Sequence, residues 1–185
     1  MLTWMKTTRT ALINDLVQRT ERVKQQAEQL THLPPEKLNR KPGAKSWSAL
    51  ECIEHLNRFS EFYLPEFRAR ISTTRHTAGE PFSSGWFGNY FARLVSPGEH
   101  KTKMPAPPGK NPAGSQLDKS TLQRFIGYQD QTRQVLEQAR QVNLEKTRAG
   151  TSLTRLIKLK LGDLLRVLVY HNQRHLEQAW KALDR

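Results

Sequence analysis

The sequence predicts an all-α protein, a four-helix bundle with a long crossover between its second and third helices. Four segments of roughly twenty residues or more each carry a single apolar stripe at spacings of three, four and seven. Strand-like alternation and internal repeats are absent from the pattern. Helices with one apolar side bury it most simply against one another. The 185 residues are enough for one domain, expected to span 1–185.

The first helix is expected from about Thr8 to Thr31, with Leu12, Leu16, Val23, Ala27 and Leu30 on one side. "HLPPEKLNRKPGAKSW" ends it, punctuated by Pro34, Pro35, Pro42 and Gly43. The second helix begins near Ser46 or Ser48. Ser48 followed by Glu51 fits a capping box, and Trp47 is placed to staple the helix start. Its stripe is Cys52, His55 or Leu56, Phe59, Phe62 and Tyr63, and Pro65 marks a candidate kink or break.

From about Ser72 to Gln116 the periodicity collapses, and five of the ten prolines fall between Pro97 and Pro112. Within it, "GWFGNYFARLV", with Trp86, Phe87, Tyr90, Phe91 and Leu94, reads as a short extra helix; its aromatic segment from Trp86 to Phe91 is expected to cap apolar core, with a substrate pocket or a dimer interface as alternatives. A connection this long needs a topological reason. The third helix runs from about Lys119 to Val142, with Leu122, Phe125, Ile126, Val135, Leu136, Ala139 and Val142 on one side. "LEKTRAGTSLTRL" is a break. The fourth helix starts near Leu161 to Asp163 and reaches Leu183, with Leu164, Leu168, His171, His175 and Gln178 on one stripe.

Lys and Arg total 30 against 17 Asp and Glu, a formal charge of +13. Such a charge attracts nucleic acid, anionic lipid or acidic small molecules. Here the basic residues are interleaved with Glu and Gln, and neither a block of like charge nor a nucleic-acid-binding motif occurs. That favours a solvated basic surface over a nucleic-acid face. The apolar runs are too short for a membrane span, and the opening "MLTWMKTTRTALINDL" turns polar too soon for a secretory signal. The single cysteine, Cys52, excludes an intrachain disulfide, and a cytoplasmic location is expected.

Of the six histidines, His32, His76 and His100 fall in breaks and are expected at the surface. His171 and His175 are four apart, which puts both imidazoles on one side of a helix, about 6 Å apart at Cβ. That suits two ligands of one metal, and equally two hydrogen-bonded core residues. A long crossover makes the second and third helices parallel and the second and fourth antiparallel. His55, about two turns into the second helix, then meets His175, about two turns from the end of the fourth, at one end of the bundle. Three imidazoles with an open fourth position form a catalytic rather than a structural metal arrangement.

"WSALECIEHLNRF" and "LGDLLRVLVYHNQRHLEQAW" resemble the DinB/YfiT-like superfamily, particularly its DinB_2 branch. Its Trp-Ser helix start leading to Glu-His-Leu corresponds to Trp47, Ser48, Glu54, His55 and Leu56. Its His-x-x-Arg-His-x-x-Gln corresponds to His171, Arg174, His175 and Gln178. The resemblance covers essentially the whole chain. It implies an up-down-down-up bundle, commonly a homodimer. It also implies a divalent metal on His55, His171 and His175, zinc or nickel foremost, with iron or manganese also suited to such ligands. Characterised relatives include thiol-dependent S-transferases, a maleylpyruvate isomerase and proposed metal-dependent hydrolases. A small-molecule substrate, with a low-molecular-weight thiol among the candidates, follows from the same resemblance.

Glu51, one turn before His55, is a candidate general base or ligand-orienting group, and equally the capping residue. Gln178 is a candidate support for His175. Arg174 lies off the stripe and is expected in a salt bridge, with anion binding as the alternative. Cys52 is expected to be a small buried hydrophobe. The competing functional reading is a non-catalytic helical bundle that binds a partner or nucleic acid through its basic surface.

Overall fold

Strand β1 (Lys6–Thr8) runs directly into helix α1 (Arg9–Leu30) in a computed structural model that describes residues 5–98, 106–107, 109–152 and 157–184. Thr8 caps α1, its hydroxyl accepting the Ala11 N–H at 3.1 Å. The proline-rich break holds a short helix, α2 (Pro35–Asn39). Helix α3 (Ala49–Thr73) starts on the expected capping box: Ser48 Oγ accepts the Glu51 N–H, and the Glu51 carboxylate accepts the Ser48 N–H. It continues through Pro65. Both Pro65 and Glu61 are exposed, so solvent can satisfy the Glu61 carbonyl that loses its helical donor.

Strand β2 (Pro81–Ser83) and helix α4 (Trp86–Leu94) follow, then helix α5 (Ser120–Ala139), strands β3 (Arg148–Gly150) and β4 (Lys158–Lys160), and helix α6 (Leu161–Leu183). Strands β1 and β2 pair antiparallel, with Lys6 opposite Ser83, and β3 pairs antiparallel with β4, Arg148 opposite Lys160. The described residues are mostly helical, as expected, with these short strands as additions. At three residues each they are too short for alternation to register in the sequence. His32 and His76 are exposed as expected, and His100 lies outside the described residues.

The orientation of α4 also departs from expectation. Its buried residues are Gly88, Asn89 and Ala92, while Trp86, Phe87 and Tyr90 are 50%, 59% and 48% exposed. The cause is close approach to α6: a Cβ on Gly88 would lie 2.2 Å from Asp163 Oδ2. No aromatic side chain fits that face. Phe91 alone among the four rings packs against the core.

The four long helices pack on one another, α1 against α5 and α6, and α3 against the same two. Contacts between α1 and α5 descend in number (Asn14 to Arg140, Glu21 to Arg133, Lys24 to Asp130). Those between α3 and α5 ascend (Asn57 to Thr121, Glu61 to Tyr128). Those between α3 and α6 descend (His55 to His175, Phe59 to His171). The interior holds two apolar clusters. One contains Leu16, Phe67, Leu168 and Val169; the other contains Leu30, Leu50, Phe125 and Leu176. The histidines of α6 fall where one cluster gives way to the other, rather than at the extreme end of the helices. The second cluster continues beyond them because Leu38 and Leu183 extend it. No helix among the described residues is long and apolar enough to cross a membrane.

Candidate metal centre

Helix α3 places His55 on its buried face, one turn from Cys52 on one side and from Phe59 on the other. Helix α6 places His171 and His175 one turn apart on the side that faces α3. The ligand atoms of these three side chains all lie within 4.8 Å of one another. His55 Nε2 and His171 Nε2 are 3.3 Å apart. The sequence therefore named a set that the fold brings together.

Hydrogen bonds at the other ring nitrogens assign the tautomers. His55 Nδ1–H donates to the Lys110 carbonyl at 2.7 Å, and His175 Nδ1–H donates to Gln178 Oε1 at 2.9 Å. In each ring the lone pair then lies on Nε2, which for His55 faces His171 Nε2, the arrangement by which a ligating histidine is oriented from behind. His171 Nδ1 is buried with no hydrogen-bond partner among the described residues. A buried polar atom without a partner costs free energy, which ligation at the same ring can offset. Burial pushes His55 down to about 4, helped by the Lys110 and Arg58 charges, although the bond to the Lys110 carbonyl opposes the shift. Burial likewise pushes His175 down to about 3, with His55 and Arg174 adding to it. His171 falls well below its ordinary value, again mainly through burial. All three rings are neutral near pH 7, the state a cation needs. Three neutral nitrogens of this kind fit a divalent first-row ion.

Trp47 and Phe59 wall the cluster. The Trp47 ring lies 4.8 Å from His55 and 6.0 Å from His175, and the Phe59 ring lies 4.5 Å from His171. Trp47 was legible as a helix staple, and its second role was not. Lys110 was missed altogether, because a backbone carbonyl in a proline-rich crossover leaves no periodic signal. The segment from Lys110 to Ser115 is strapped to α3: Arg58 donates to the Asn111 carbonyl and to Ser115 Oγ, and the Gly114 N–H donates to Glu51.

Glu51 is 3% exposed and fully engaged. Its carboxylate accepts from the Ser48 and Gly114 N–H groups and pairs with Lys41 at 2.8 Å. Burial pushes its pKa up, but Lys41 and the two N–H groups outweigh that and hold it below the usual value. Gln178 supports His175 as anticipated, though it is exposed rather than inward. Arg174 departs from the expected salt bridge: it donates to the Leu94 carbonyl at 2.5 Å and meets no carboxylate among the described residues. Cys52 is buried among apolar residues, and burial pushes its thiol up to about 12.

An open groove of about 440 Å³ lies elsewhere, lined by Arg70, Arg75, His76, Lys146 and Arg148 together with Thr73, Thr74 and Thr147. Among the described residues it gathers no set of metal-ligating donors, so the chemistry rests on the histidines. Residues 19–179, most of the chain, match the family model of the DinB superfamily. No curated protein and no solved structure matches the chain. A match of that extent, over a helical fold whose three motif histidines converge, places the chain in the DinB superfamily.

Proposed function

We propose that the chain is a single-domain metal-dependent enzyme, a hydrolase or thiol-dependent transferase. It acts on a small molecule at a divalent ion held by His55, His171 and His175. The observation that carries this is the convergence of three neutral imidazoles from two helices, with ligand atoms within 4.8 Å of one another and no carboxylate in the set. An up-down-down-up four-helix bundle is part of the proposal. The descending, ascending and descending contacts of α1 with α5, α3 with α5, and α3 with α6 support it.

A divalent ion held there would supply Lewis acidity, polarising a carbonyl or phosphoryl oxygen and easing deprotonation of water or a thiol. The chain's own residues do the rest. The Lys110 carbonyl and Gln178 fix the orientation of His55 and His175. Trp47 and Phe59 exclude water from one side, which strengthens electrostatics within the site. Glu51 serves as a cap and as an anchor for the strap, because its carboxylate is already occupied. Zinc and nickel are the ions best matched to an all-imidazole set.

The test is a screen of the zinc- and nickel-loaded chain against ester, amide and thiol-acceptor substrates. Metal-dependent turnover that disappears in His175→Ala is expected; turnover unchanged by that substitution would overturn the proposal. The competing reading, partner binding through a basic surface, has the groove around Arg70, Arg75, Lys146 and Arg148 in its favour. It requires nucleic-acid binding that weakens steeply with salt.

A further inference from the structure

Four half-buried arginines of this chain face carboxylates: Arg9 meets Glu80, Arg19 meets Asp15, Arg58 meets Glu54 and Arg70 meets Glu66. Arg174 is different. It sits beside His175 on α6, and its one hydrogen bond among the described residues runs from Nη1 to the Leu94 carbonyl. Its Nε and Nη2 have no partner among the described residues, and neither is sealed from solvent. That free edge is the one that grips an oxyanion with two parallel hydrogen bonds.

The surroundings share the same sign. The charged groups that act on His55, His171 and His175 are Lys110, Arg58 and Arg174, all cations. Arg58 is balanced by Glu54, but Arg174 is not. The Lys110 ammonium lies 5.5 Å from the centre of the Phe59 ring, which itself touches His55 and His171. Of the carboxylates of α3, Glu51 and Glu54 are engaged by Lys41 and by Arg58 and Arg124, while Glu61 acts on Lys110 and partly offsets its charge. Three neutral ligands would also leave a divalent ion with its full charge. Such a site attracts anions and repels cations.

With the histidines read as a divalent-ion centre, on which this rests, we propose that the substrate is an anion. It is a small molecule bearing a carboxylate or phosphate group, which docks on the Nε–Nη2 edge of Arg174 while Lys110 strengthens the field. Arg174 is thus a binding residue that orients the substrate toward the histidine centre.

Calorimetric titration of the full zinc-loaded chain tests this, with malonate and inorganic phosphate as probes and malonamide as the neutral control. Malonate or phosphate should bind, and malonamide should not. Arg174→Gln should weaken binding at least about tenfold, the scale of a lost charge-assisted fork. Arg174→Lys, which keeps the charge without the fork, should fall between. Equal affinity in wild type and Arg174→Gln, equal binding of malonamide, or no anion binding at all overturns the proposal. Since Arg174 also holds the Leu94 carbonyl, thermal melting of each variant accompanies the titration. Where Arg174→Gln melts early, Arg174→Lys decides: malonate affinity equal to wild type overturns the anion site.

Titrating the metal-free chain in parallel separates the two readings. Arg174-dependent malonate binding without zinc uptake would sink the metal centre and keep the anion site. Zinc uptake with no effect of Arg174→Gln would do the reverse.

Discussion

Helix α6 carries two polar constellations about two turns apart, the first buried and the second buried at His171 and half-buried at His175. Asp163 and Arg166, with Ser84 and Asn89, form a closed network. The Asp163 carboxylate accepts from Ser84 Oγ, from the Gly85 N–H at 2.8 Å and from Arg166, and Arg166 also donates to Asn89. Gly85 is the N-cap of α4 and has no side chain to offer, so Asp163 supplies the cap and the negative charge from the neighbouring helix. Among the network's side chains only Arg166 Nε lacks a partner within the described residues. His171 and His175 are the opposite case: uncharged, joined by His55 and, among the described residues, without a carboxylate and with His171 Nδ1 unpartnered. Positive and negative charge meet in the first constellation, which therefore docks α4 on α6. The second holds lone pairs that face one another and that a cation would complete.

Asp163→Ala should show the largest effect. It strands the Arg166 guanidinium, 5% exposed, in the interior, and the expected loss is about 3–5 kcal/mol by urea denaturation, with zinc content unchanged. A loss near zero would mean that α4 is held by something other than this network.

Acid should act on the histidine site. His55 and His175 sit at about 4 and about 3 in the folded chain and His171 well below its ordinary value, against about 6.5 when unfolded. Below that unfolded value the unfolded chain takes up more protons than the folded one. The metal-free fold should therefore lose stability as pH falls from about 6.5 toward 4. Denaturation midpoints that stay flat across this window would contradict the burial of neutral rings.

Glu51→Gln should be milder, about 1 kcal/mol, because it weakens a cap and the Lys41 pair but leaves an amide that still accepts hydrogen bonds. Zinc content should be unaffected. Loss of turnover at full zinc occupancy and normal stability would restore Glu51 as a proton-transfer group.

The smallest change is expected from His171→Leu in metal-free protein. Exchanging a buried imidazole whose Nδ1 lacks a partner among the described residues, and whose Nε2 meets only His55, for an apolar side chain of similar size should alter stability by no more than about 1.5 kcal/mol. A large loss would show that His171 already has its partners without an ion.

The histidine triad was legible because its members stand on helical stripes. His171 and His175 follow Leu164 and Leu168 at the spacing of one face, and the crossover length brings His55 opposite. The Asp163 network was not legible. Ser84 and Asn89 lie in the crossover, and a polar residue there reads as solvent-facing until the partner helix is known. The face of α4 was misjudged for the same reason: Trp86, Phe87 and Tyr90 are the apolar residues, yet only Gly88 permits the contact with Asp163. The Lys110 carbonyl behind His55 is a main-chain atom, and residue identity carries little information about where such an atom points.

The central claim is that His55, His171 and His175 hold one divalent ion. Elemental analysis of the full chain, expressed in metal-replete medium, tests it most directly alongside His55→Ala and His175→Ala. About one zinc or nickel per wild-type chain, lost in both variants while their helical content is retained, is the expected result. A wild-type chain without stoichiometric metal, or variants that keep it, would contradict the account.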